Sequence, residues 1–119
     1  SARVHWVIAL GTNDVGKGAA GTSGYPWLIG AMRASLGTLT VPAVWVEVRT
    51  LRGGTVPYPE WEDAWNVAIG AGGFESADWA GFIDSADEPR LFITGDDVHL
   101  TPAGADARAS LILAALLSP

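Results

Sequence analysis

Trp6-Val7-Ile8-Ala9-Leu10-Gly11-Thr12-Asn13-Asp14 is the stretch on which the fold turns. Five apolar residues run straight into a small polar turn. A short apolar run ended by a turn signal reads as a strand buried on both faces, as in a parallel sheet. Open α/β sheets bind their ligands just beyond the carboxyl ends of such strands. Gly11 lets the backbone turn or approach a ligand closely. Thr12, Asn13 and Asp14 then set a hydroxyl, an amide and a carboxylate at that edge, so this stretch is expected to form one wall of a site.

Working outward, the first strand is expected from Val4 to Leu10. A loop dense in glycine follows it as far as Pro26. A helix is expected from Trp27 to Leu36, with Leu28, Met32 and Leu36 on one stripe. Ala43-Val44-Trp45-Val46-Glu47-Val48 reads as a second strand, and a long loop then runs to Pro59. Glu60 to Ile69 reads as a helix carrying Trp61, Trp65 and Ile69 on one stripe, opened by Glu60, Glu62 and Asp63, which favour the helix dipole. A third strand is expected around Asp78 to Ile83 and an acidic solvated loop from Asp84 to Pro89. Thr101 is placed to cap a last helix with Pro102 at its first position, running through Leu117. Strands alternating with helices imply βαβ units and a parallel sheet with about three strands.

Bulk composition narrows the function classes. The 119 residues suit one domain, 49% of them are apolar and only 17% charged, so the chain is globular. A net charge of −6, with no basic cluster, argues against a nucleic-acid partner, whose binding is driven by Lys and Arg. No apolar run reaches the roughly 18 residues of a membrane span. Without cysteine there is no disulfide, thiol nucleophile or Cys-ligated zinc in this stretch, and the cellular compartment stays open. Trp45, Trp61, Trp65 and Trp79 fall at periodic positions and read as core, whereas Trp27 and Tyr58 border loops and fit either a pocket wall or surface packing.

Three chemistries compete for the polar clusters. Gly11 to Lys17 fits the G-x-x-x-x-G-K spacing of a phosphate loop, but Gly18 stands where a magnesium-holding hydroxyl belongs, and the following residues are too rich in glycine to open a helix. His5, Asp14, Asp96, Asp97 and His99 are metal-ligand types, yet no repeated ligand spacing supports a metal, and none is expected. Asp96 and His99, three residues apart, suit an acid–base pair: a carboxylate on one imidazole nitrogen fixes the tautomer and frees the other to accept a nucleophile's proton. Asn13 carries an amide suited to stabilising an oxyanion. Bland readings stand beside these: an Asx turn at Asn13-Asp14, loop solvation by Asp96-Asp97, and a helix brace at His99.

Asn13 within Gly11-Thr12-Asn13-Asp14, followed by Asp96-Asp97-Val98-His99-Leu100-Thr101-Pro102-Ala103-Gly104, resembles the third and fifth sequence blocks of the SGNH (GDSL) hydrolases, in family order. The resemblance covers essentially residues 1–119 as a single, partial domain. It implies a three-layer α/β/α, flavodoxin-like fold with a parallel sheet, here truncated to about three strands. It also implies Asn13 as oxyanion-hole donor, His99 as general base, Asp96 as triad acid with Asp97 its solvent-side neighbour, and Gly11, Thr12 and Asp14 as shapers of the turn. The substrate implied is a small-molecule, carbohydrate or lipid ester, with no cofactor.

The sequence departs from the family at the nucleophile. Neither the Gly-Asp-Ser block nor the second, glycine-bearing block is present, so the chain resembles the carboxy-terminal portion of such a hydrolase. Ser23, in a loop near the expected site, is the internal substitute. The expected function is therefore an ester-hydrolase scaffold whose nucleophile is not identifiable here, the alternative being a catalytically inactive binding or assembly module. The strand Val4 to Leu10 would lie at an exposed apolar edge, expected to be covered by a missing amino-terminal segment, by a second copy of the chain or by rearrangement.

Overall fold

A computed structural model describes residues 5–12, 15, 21–37, 43–51, 59–86 and 89–117. Among these residues it is a small α/β fold: a three-stranded parallel sheet and four helices. In chain order these are β1 (Trp6–Ile8), α1 (Tyr25–Leu36), β2 (Ala43–Val46), α2 (Glu60–Ala71), β3 (Glu75–Ala77), α3 (Trp79–Ala86) and α4 (Pro102–Leu117). Short 3₁₀ turns lie at Gly21–Gly24 and Pro89–Leu91. The sheet order is β1-β2-β3, with Trp6 opposite Ala43, Ile8 opposite Trp45, and Val46 opposite Ala77.

The alternation of β2 sends successive side chains to opposite faces. Val44 and Val46 join Ala77, Trp79, Leu91 and Phe92 in one apolar cluster, against which α4 lays Ala107 and Leu111. Trp45 goes the other way, into a cluster with Ile8, Tyr25, Ile29, Trp65, Ile69 and Phe74. Aromatic edges dominate that second cluster. Trp45 meets Phe74 at 5.1 Å and Trp65 at 6.0 Å between ring centroids, and Tyr25 meets Trp65 at 5.1 Å, all near perpendicular. Each such pair contributes about 0.5–1.5 kcal/mol beyond burial. The Trp45 indole N–H donates to the Leu10 carbonyl at 2.8 Å, which ties the end of β1 to β2.

Several expectations hold and several shift. Trp65, Ile69, Trp45 and Trp79 are buried, and Trp61 is half-buried against the core. Helix α1 begins at Tyr25 rather than Trp27, because Pro26 suits the first turn of a helix. Its core stripe is centred on Tyr25 and Ile29; Met32 and Leu36 pack beside them, and Leu28 and Trp27 are exposed. Tyr58 lies outside the described residues.

The third strand needs correction. It occupies Glu75–Ala77, and the stretch expected to hold it forms α3 instead. Two carboxylates decide this locally: Asp78 accepts the Gly81 N–H at 3.0 Å, and Glu47 accepts the Ala80 N–H at 3.3 Å. Both satisfy donors that a helix start leaves open. Trp79 and Phe82, one turn apart, stack at 5.5 Å.

Helix α4 opens as its sequence implies. The Thr101 hydroxyl accepts the Gly104 N–H at 3.2 Å and donates to the Arg90 carbonyl at 2.7 Å. The Thr101 N–H binds the Leu91 carbonyl at 3.0 Å, strapping the helix start to the 3₁₀ turn. Gly104 sits under that strap: a Cβ there would stand 2.1 Å from the Leu91 oxygen and 3.0 Å from its carbon. Because the obstacle is backbone, Gly104→Ala is expected to destabilise the fold by about 1–3 kcal/mol. An unchanged urea midpoint would show that the strap yields.

Candidate active site

The loop after the second 3₁₀ turn is built around Asp96. Its Oδ1 accepts the backbone N–H of Val98 at 2.8 Å and of His99 at 2.7 Å, and its Oδ2 meets His99 Nδ1 at 2.8 Å. The His99 N–H, then its ring, then the Val98 N–H hold the Asp96 carboxyl down at about 2, below its usual 3.8. An ionised Asp96 accepts only, so Nδ1 carries a proton, and in the neutral ring it is Nε2 that presents the lone pair. That is the tautomer a general base requires. The imidazole itself is 76% exposed.

The loop is anchored from below. Phe92 and Leu100 form an antiparallel bridge, and the Ile93 N–H binds the His99 carbonyl at 2.9 Å. Gly95 and Asp97 both adopt positive φ, 85° and 61°. Such a conformation is uncommon for a residue with a Cβ, and Asp is among those that tolerate it. Asp97 corrects the expectation of a solvent-side neighbour: it is the buried one of the pair, and its carbonyl accepts the Leu51 N–H at 3.0 Å. Asp96 is the exposed carboxylate that meets the imidazole.

Gly11 and Thr12 follow β1. Gly11 has φ 126°, and a Cβ there would lie 2.5 Å from the Trp65 ring, so both backbone and space demand glycine. Thr12, Val98 and Leu100 border one cavity of about 30 Å³. The turn after β1 and both neighbours of His99 therefore meet around one space. Asn13 and Asp14, and Lys17 of the phosphate-loop spacing, lie outside the described residues. Ser23 lies exposed in the first 3₁₀ turn, just before α1. Ser35 and Ser85 donate to carbonyls one helical turn back, Ala31 at 2.8 Å and Gly81 at 2.9 Å. Among the described residues no group of three or more metal-ligating side chains could hold a metal ion.

The sequence reading missed the charged residues beneath the site. Arg49 and Glu62 are 5% and 2% exposed and meet at 3.3 Å. Glu62 also accepts the Thr50 N–H at 3.1 Å and hydroxyl at 2.7 Å. Arg49 further pairs with Asp63, and with Asp84 at 3.2 Å. So Glu62, read as a helix-opening acid, is a buried ion-pair partner, and Asp84 joins the same cation. The available signal was Arg49 itself, which follows an apolar strand directly.

Glu47 is the other charged residue inside that apolar run. Burial pushes its carboxyl up from 4.5 to about 7, a hydrogen bond and charge from Asp78 add to the rise, and the Ala80 N–H and Arg49 oppose it. Between those values the folded chain keeps a proton that the unfolded chain releases. The resulting stability is present in full below 4.5 and is lost as pH rises through about 7. Urea midpoints are therefore expected to be higher near about pH 5 than about pH 8, with Glu47→Gln removing this component. The same pH dependence in that variant would assign it to another group.

A scan against protein-family models and searches of curated proteins and of solved structures find no match to this chain.

Proposed function

We propose that the chain is an ester-hydrolase scaffold of the SGNH type. The observation that carries this reading is the 2.8 Å contact between His99 Nδ1 and Asp96 Oδ2, on a loop beside the residues that follow β1 of a parallel sheet. In this reading His99 Nε2 takes the proton of a serine hydroxyl as the serine oxygen bonds the ester carbonyl carbon. It then returns the proton to the departing alkoxide, and Asp96 holds the ring throughout. Asn13 donates to the oxyanion, and Ser23 is the internal candidate for the nucleophile. Fluorophosphonate labelling, read by intact mass and peptide mapping, tests the reading. A stoichiometric adduct on one serine supports it and names the nucleophile. No adduct on a folded chain rejects catalysis by these residues.

One observation favours the second reading, a binding or assembly module. β1 is an outer strand, and Trp6, Val7 and Leu10 around it are 48%, 40% and 56% exposed. An apolar strand edge is a template for pairing with another chain. Light scattering is expected to give a mass above the 12.4 kDa of one copy. A strictly monomeric mass rejects a second copy as the pairing partner. Among the described residues no helix is long and apolar enough to cross a membrane.

A further inference from the structure

The wall of the cavity beside the His99 loop carries a cation that pairs with no carboxylate among the described residues. That wall includes Thr12, Glu47, Arg49, Trp79, Leu100 and Arg108. The two arginines differ. Arg49 is matched by Glu62, Asp63 and Asp84. Arg108, on the second turn of α4, meets no carboxylate among the described residues, and its Nε is closed off from solvent with no hydrogen-bond partner. Burial alone acts on its guanidinium, pulling it below the usual arginine value. A guanidinium does not lose its proton in a protein, and a half-buried one is costly unless an anion meets it.

We propose that this cavity is a carboxylate subsite in which Arg108 binds the acid group of a small substrate. The inference deepens the hydrolase reading by naming an acid-bearing ester as its substrate class, and rests on that reading for its chemistry though not for binding. Size and charge choose the anion. A space of about 30 Å³ holds on the order of two water-sized centres, which matches the two oxygens of a carboxylate. Arginine's planar fork meets a carboxylate with two parallel N–H···O bonds. A phosphate, with four oxygens about its phosphorus, is larger than this space. Thr12, from the end of β1, lines the same space.

Formate titration of the full chain, followed by NMR at the Arg108 Nε–H and at the Thr12 and Leu100 amides, tests the subsite. Chloride and inorganic phosphate at matched ionic strength serve as comparisons. Saturable shifts with formate, absent with chloride and weaker with phosphate, are expected. Arg108→Gln should weaken formate binding at least about tenfold, as the loss of a charged bidentate contact implies. Arg108→Lys, which keeps charge without the fork, should fall between. Shifts equal for formate and chloride, or binding at least as tight for phosphate, would overturn the assignment in the wild-type chain alone. Unchanged formate binding in Arg108→Gln would do the same. Serine labelling by fluorophosphonate is read separately: formate binding without labelling keeps the subsite and removes the hydrolase reading, and labelling without formate binding does the reverse.

Discussion

Arg49→Met is expected to lower the unfolding free energy by about 3–5 kcal/mol, the loss that follows when one partner of a buried ion pair is removed. The variant keeps the volume of the side chain and deletes its charge. Glu62, 2% exposed, would then keep only the Thr50 N–H and hydroxyl. Asp63 and Asp84 would lose the cation that draws them together. Burial works against the charge on Arg49, yet Asp63, Asp84 and Glu62 together hold its pKa above the usual arginine value. The net effect of the surroundings is thus to favour the ion. Urea unfolding of Arg49→Met, Glu62→Leu and the double variant closes the cycle. The double variant should recover much of the loss, because two apolar groups leave no orphaned charge. A single-variant loss below about 1 kcal/mol would mean that the pair is screened as surface pairs are. The same cluster leads directly to the His99 loop: Leu51, two residues after Arg49, donates its N–H to the Asp97 carbonyl at 3.0 Å.

The parts of this molecule that could be read from sequence are those whose structure is dictated by near neighbours in the chain. The run ending at Gly11 forms a parallel strand as its apolar residues and turn signal imply, but of Trp6 to Leu10 only Ile8 is buried, and Trp6, Val7 and Leu10 stay exposed. Helix α4 starts at Pro102 because Thr101 caps it within four residues. The Asp96–His99 contact spans three residues, so spacing alone could suggest it. What escaped depends on partners far along the chain. Glu75-Ser76-Ala77 has no apolar signature and becomes a strand by pairing with β2. Trp79 to Ile83 is an apolar run too short for its period to separate strand from helix, and Glu47, thirty-three residues upstream of Ala80, helps tip it to helix. Glu62 has the look of a helix-opening acid until Arg49 is brought to it across the α2–β2 packing. The exposures of Asp96 and Asp97 reverse for the same reason, since a backbone bond to Leu51 turns the Asp97 carbonyl inward.

Under the proposed hydrolase chemistry, His99→Ala is expected to reduce ester turnover by on the order of 10⁴- to 10⁶-fold, since nucleophile, base and orienting acid act as a unit. Nδ1 is occupied by Asp96 at 2.8 Å, so the ring's one available base is Nε2. Removing the ring removes the proton acceptor, whichever serine supplies the oxygen. Asp96→Asn should cost nearly as much, about 10⁴-fold, because an amide at that position can stabilise the wrong imidazole tautomer. Neither change should greatly disturb the fold. The imidazole is 76% exposed and belongs to neither apolar cluster. Asn in place of Asp96 can still accept the Val98 and His99 N–H groups through its carbonyl oxygen. Turnover of p-nitrophenyl acetate and the rate of fluorophosphonate labelling should fall together in both variants, while urea midpoints stay within a narrow range. Turnover that survives His99→Ala would reject His99 as the base. Turnover lost only along with the urea midpoint would make the Asp96–His99 contact a brace for the start of α4 and not a base with its orienting acid.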